Sequence, residues 1–161
     1  GCMNGTTAAT FTPAGTVTRG MLAAILYRME GTPSASGSVP FRDVDQSSYY
    51  AKAITWAAQK GILEGYEDGT FRPDAPLTRQ QLAAILFRYA SWLGKAGDAQ
   101  GDLSAWPDAA AVESYAREAM AWAVDVGVLQ GRADGTLDPG GTATRAQTAV
   151  LLTRLWDYLE A

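Results

Sequence analysis

Apolar residues recur along this chain with a helical period, and the same stripe appears three times. Leu82, Ile85, Leu86, Tyr89 and Leu93 follow the i, i+3, i+4, i+7 spacing of one helix face. Leu22, Ile25, Leu26 and Met29 form an equivalent stripe earlier, and Leu151, Leu152, Leu155 and Leu159 another later. Each stripe begins at a Thr-Arg pair: Thr18-Arg19, Thr78-Arg79 and Thr144-Arg145. Gln81 and Gln147 stand three residues after their threonines, which predicts a capping box: the hydroxyl accepts from the N3 amide, and the glutamine side chain accepts from the cap amide. Met21 occupies that place after Thr18, so only half of the box is predicted there. One such helix cannot bury its stripe alone, and three copies predict three helices packed around a shared axis.

A second helical pattern precedes two of these stripes. It covers roughly Ser48–Lys60, carrying Trp56, and Val112–Val126, carrying Trp122. Gly61 and Gly127 sit where a left-handed glycine ends a helix. Between the two helices of each repeat, Asp68-Gly69 and Asp134-Gly135 predict turns, and Pro73 and Pro139 keep the loop non-helical. Sixty residues separate Arg19 from Arg79 and sixty-six separate Arg79 from Arg145. The division that follows is a partial repeat at 1–30, a connector at 31–40, a repeat at 41–93, a connector at 94–105 and a repeat at 106–161, together one domain. The expected fold class is all-α: tandem helix-loop-helix repeats, the first lacking its N-terminal helix.

Composition narrows the chemistry. The 161 residues include no histidine and a single cysteine, Cys2, which removes His-based catalysis, internal disulfides and Cys/His metal clusters. Seventeen acidic residues against thirteen basic ones give a net charge of −4, the wrong balance for a general nucleic-acid partner. No run of about 18 apolar residues predicts insertion in a membrane. With no initial Met and no leader pattern, the chain reads as a piece of a longer protein. Cys2 aligns with Ile62 and Val128 and reads as a small buried hydrophobe.

The ordered pattern Phe41, Asp43-Val44, Tyr50, Trp56, Gly61, Gly65, Asp68-Gly69-Thr70-Phe71, Pro73, Thr78-Arg79 and Leu82 to Leu86 resembles the S-layer homology repeat. The likeness covers nearly the whole chain and is looser in repeat three, where Leu137 replaces Phe71. The resemblance implies a pseudo-threefold helical prism. It also implies non-covalent anchoring of a bacterial surface protein to anionic secondary cell-wall polysaccharide, often through a pyruvylated sugar, hence an extracellular, cell-wall location. In that family the arginine of a Thr-Arg-x-Glu motif is a principal ligand contact, in grooves between repeats. Those positions here are Arg19, Arg79 and Arg145, with Met21, Gln81 and Gln147 where the glutamate usually stands.

A planar guanidinium suits a carboxylate, and a helix N-terminus adds free amides and a favourable dipole, although a cation there is itself slightly unfavourable. Trp56 and Trp122 offer either a face for sugar stacking or core packing. Gly65 and Gly131 allow either close approach of ligand or a positive-φ turn. Asp68 and Asp134 bind ligand hydroxyls or form Asx turns, and they lack the companion oxygens of a calcium loop, so no metal is expected. Glu64 becomes Gln130 in the next repeat, which argues against a recurring carboxylate pair; no catalytic residue, enzyme activity or cofactor is expected. The competing reading is a self-assembly module whose arginines form salt bridges. Repeat one, without its first helix and capping glutamine, predicts the weakest groove at Arg19. The missing helix predicts an apolar patch near Met3, Phe11 and the stripe of the Thr18 to Glu30 helix, covered by upstream residues, by Gly1–Thr10 folding back, or by a second copy of the chain in a homodimer.

Overall fold

The computed structural model describes Met3 and residues 12–98 and 101–161. Cys2, Phe11 and all but Met3 of Gly1–Thr10 lie outside the described residues, and so do the expectations attached to them. Five α-helices are present among the described residues: α1 (Arg19–Met29), α2 (Ala51–Gln59), α3 (Arg79–Trp92), α4 (Arg117–Asp125) and α5 (Arg145–Glu160). Single 3-10 turns cover Ala109–Ala111 and Ser114–Ala116. No strand occurs among the described residues, only two isolated bridges, Thr18 with Pro76 and Thr78 with Thr142. The chain is all-α, built of helix-loop-helix repeats.

The residues gather into two compact units, Gly1–Pro76 and Leu77–Ala161. The boundary falls inside repeat two, between its loop and its second helix. Each unit therefore joins the second helix of one repeat to the first helix and loop of the next.

In the first unit α1 packs on α2, with the Tyr27 and Trp56 rings 5.7 Å apart. Leu22, Leu26, Ile54, Ile62, Leu63 and Phe71 are fully buried. The helix α2 starts three residues later than the apolar pattern predicts. Residues 45–50 form turns instead, in which Asp45 accepts from the Ser47 amide and hydroxyl. The helix ends as expected: Gly61 has φ +68°, its amide donates to Ala58 O, and the Ile62 amide donates to Ala57 O.

In the second unit α3 packs on α4, with Phe87 and Trp122 5.4 Å apart. The predicted helix from Val112 becomes a 3-10 turn at Ser114 leading into α4 at Arg117. Glu113 is the reason. Its amide donates to Gln80 Oε1 at 3.0 Å and its carboxylate accepts from Gln80 Nε2 at 3.1 Å, which holds it extended at φ −68°, ψ 151°. A residue locked in that conformation by a side chain 33 positions away cannot belong to a helix.

Candidate functional site

The Thr-Arg helix starts are built as expected from local chemistry. Thr18, Thr78 and Thr144 each cap their helix through the N3 amide, and Gln81 and Gln147 complete the reciprocal box by accepting from the threonine amides at 3.0 and 3.1 Å. The two preceding amides would ordinarily be orphans. In α1 they are not: Arg19 N donates to Ala75 O and Gly20 N to Pro73 O. In α3, Arg79 N donates to Gly141 O and Gln80 N to Pro139 O. The free amides expected at these helix starts are consumed by the loop of the following repeat.

The arginine side chains grip the same loops. Arg19 donates through Nε to Phe71 O at 2.9 Å and through Nη2 to Glu64 O at 2.6 Å. Arg79 repeats this with Leu137 O at 2.8 Å and Gln130 O at 3.1 Å. Both are buried, as is Arg145. Burial, and then the neighbouring Arg132 cation, lower the pKa of Arg79, while Asp138 and Asp108 oppose that shift. Arg19 differs from Arg79 in its surroundings: its guanidinium lies 4.7 Å from the Phe71 ring and 5.0 Å from the Tyr66 ring. Leu137 and Arg132 stand at those two places in the second unit.

The loop is held from its other side by the aromatic-x-Asp element. Asp43 accepts from the Phe71 and Arg72 amides, each at 2.8 Å, and Asp108 accepts from the Leu137 and Asp138 amides at 2.9 and 2.7 Å. Arg72 and Asp138 sit at φ +57° and +49°, a strained left-handed conformation for residues with a Cβ, immediately before Pro73 and Pro139. The charge-assisted amide pair offsets that strain. This role of Asp43 and Asp108 was not visible in the sequence.

Three expected site pairs find definite places. Trp56 and Trp122 are 1% and 0% exposed, and Trp122 Nε1 donates to Ala96 O, so both are core residues with no face open to a sugar. Gly65 and Gly131 are not positive-φ residues. A Cβ at Gly65 would lie within 2.9 Å of three ring carbons of Phe41, and one at Gly131 within 2.7 Å of two ring carbons of Trp106. These glycines make room for the aromatic of their own repeat; neither the turn nor the ligand explanation is needed. Asp68 Oδ1 accepts from the Thr70 amide and hydroxyl, and Asp134 Oδ1 from those of Thr136, so both form Asx turns. Those bonds lower both carboxyl pKa values, the threonine hydroxyl first.

A groove of about 420 Å³ opens in the second unit, with Arg79, Arg132 and Arg154 among its lining residues. Gln130, Gly131, Ala133, Ala146, Gln147, Val150 and Leu151 complete the lining, and none of these residues is acidic. Arg154 Nη2 donates to Gln130 Oε1 at 3.2 Å, and Arg132 Nη1 to Asp138 Oδ2 at 2.6 Å. A glutamate at 147 would have put a carboxylate in this lining; the glutamine makes the cap without the charge. The sequence reading missed Arg132 and Arg154. Arg154 carried a signal, because Arg28, Arg88 and Arg154 each lie nine residues after a Thr-Arg arginine. Arg132 carried none.

Helix-loop-helix repeats whose loops clasp the arginine of the preceding helix, beside a cation-lined groove, define a tandem-repeat module. The S-layer homology domain family matches residues 40–83 and 107–149, and the chain belongs to it. It is 32% identical over 98% of its length to an endoglucanase of Bacillus sp. (strain KSM-635) and 32% identical over its full length to the surface-layer 125 kDa protein of Lysinibacillus sphaericus. It is 28% identical over 89% of its length to the cellulosome-anchoring protein of Acetivibrio thermocellus. The chain spans 17%, 13% and 33% of these relatives, so the endoglucanase is matched over a small part of its length. Family and relatives place the chain at the bacterial cell surface or cell wall. Among the described residues no helix is long and apolar enough to cross a membrane.

Proposed function

We propose that the chain is a cell-surface anchoring module that binds an anionic secondary cell-wall polysaccharide, with a pyruvylated sugar seated in the groove of the second unit. The observation that carries this is the set of three arginines, Arg79, Arg132 and Arg154, lining one groove whose lining holds no carboxylate. Guanidinium groups recognise carboxylates through paired, charge-assisted hydrogen bonds. Ala133, Ala146 and Val150 supply apolar surface beside them, suited to the methyl and C–H faces of a pyruvate ketal. Arg79 supplies field from below while its Nε and Nη2 hold the loop; the rim arginines make the exchangeable contacts. Arg145, at the equivalent helix start, is retained as a candidate contact, and the buried tryptophans are not. Family membership, and relatives named as surface-layer and anchoring proteins, support the same reading.

The test is co-sedimentation of the chain with purified walls whose secondary polysaccharide carries pyruvate ketals, before and after mild acid has removed the pyruvate. Loss of sedimentation on depyruvylated walls is expected. Equal sedimentation with both would refute the anionic-sugar reading, and a concentration-dependent solution mass in its place would favour the self-assembly module.

A further inference from the structure

The anionic-ligand reading leaves open which residue of the groove reads the ligand's charge, and the difference between the two loops bears on that question. Arg79 and Arg154 recur at equivalent positions in the other repeats, but Arg132 does not: Tyr66 stands there in repeat two. The position six residues on changes with it, from Arg72 to Asp138. In the first unit the Arg72 guanidinium lies 3.8 Å from the centre of the Tyr66 ring, and that ring also flanks Arg19. In the second unit the same two positions hold an ion pair, Arg132 Nη1 to Asp138 Oδ2 at 2.6 Å, whose side chains are 42% and 40% exposed. The seat of the Asp138 carboxylate is shaped by its neighbours. Its amide is fixed by Asp108, and Gly141 leaves free the space where any Cβ would collide with the carboxylate.

We propose that Arg132 is the specificity-determining residue of this groove for a ligand carboxylate, and that Asp138 is its resident competitor. An exposed single-contact pair is weak and exchanges cheaply. A ligand carboxylate entering the groove meets Arg132 together with Arg79 and Arg154, whereas Asp138 makes its direct ion pair with Arg132 and reaches Arg79 only through its field. The incoming carboxylate therefore displaces Asp138 from Arg132, and the resident pair sets both the affinity and the preference for an acid over a neutral sugar. This inference rests on the anionic-ligand reading and adds to it the residue that discriminates.

The experiment titrates the whole chain with a synthetic pyruvate ketal of a methyl hexoside, as the free acid and as its uncharged methyl ester, followed by ligand-observed NMR. The parent is expected to prefer the acid. Arg132→Gln is expected to lose roughly tenfold for the acid, as one charge-assisted contact disappears, and to bind the ester as the parent does. Arg132→Lys should recover part of that loss, since it restores charge without the fork. Asp138→Asn, which suits the positive φ of that position, should gain about two- to fivefold for the acid. A folding defect would reduce ester and acid binding alike and so is distinguished from a loss of charge recognition. Equal acid affinity for Arg132→Gln and the parent, or weaker acid binding by Asp138→Asn, overturns this inference while leaving the functional reading intact. A parent that binds neither compound, or both equally, overturns the functional reading and the inference with it.

Discussion

Replacing Arg79 by alanine should unfold the second unit's loop before it changes any surface contact. The side chain is 5% exposed and donates to two backbone carbonyls, Leu137 O and Gln130 O. Hydrogen bonds from a charged group are worth about 1.5–3 kcal/mol each, and a buried carbonyl left without a donor keeps its full desolvation penalty. Two such bonds set the loss at about 3–6 kcal/mol. For a chain of this size each kcal/mol moves the melting midpoint by about 2–4 °C, so a fall of roughly 6–24 °C is expected. Arg79→Lys has one compact head group in place of a fork that spans both oxygens, and should recover about half of the loss. Arg132→Ala, which breaks only a half-exposed ion pair, should stay within about 1 kcal/mol of the parent. Urea denaturation of the three variants, followed by far-UV circular dichroism, measures these differences. An Arg79→Ala variant within about 1 kcal/mol of the parent would refute the clamp. The result also governs how wall-binding data are read, since weak retention of an Arg79→Ala protein reports loop collapse as much as lost ligand contact.

Further outcomes follow from the same contacts. Gly131→Ala forces a methyl group into the Trp106 ring and should cost about 1–3 kcal/mol by thermal melting, part of it recovered when Trp106→Leu is added to the same chain. Asp43→Ala strips the acceptors from the Phe71 and Arg72 amides and should cost about 2–4 kcal/mol in urea titration, with Asp43→Asn losing less because one oxygen remains. Trp122→Phe removes the donor to Ala96 O and should destabilise the chain without affecting retention on walls at temperatures well below its melt. Asp68 and Asp134 have pKa values held below the ordinary 3.8 by the Thr70 and Thr136 bonds. Their contribution to stability is present above 3.8 and is lost as pH falls through the lower folded values. Thr70→Ala with Thr136→Ala should flatten the acid side of a melting-temperature profile, and an unchanged profile would count against the Asx turns as its cause.

Local chemistry was legible in the sequence. The stripes of α1, α3 and α5, the Thr caps with Gln81 and Gln147, the left-handed Gly61 and Gly127 and the Asx turns at Asp68 and Asp134 all involve partners within a few residues of one another, so spacing alone predicts them. The site required the tertiary structure. Arg79 reaches a carbonyl 58 residues away, and Asp43 reaches an amide 28 residues away. Gly65 is small because of Phe41, and α4 begins late because Gln80 holds Glu113. Sequence marked the Thr-Arg arginines as binding residues. Folding turned two of them into clamps for the next repeat's loop and brought Arg132, from a loop, and Arg154, from a helix, into the groove lined by Arg79. Periodicity records which face of a helix is apolar. Which carbonyls a buried guanidinium must satisfy, and which cations end beside it, depends on segments that meet only when the chain is folded.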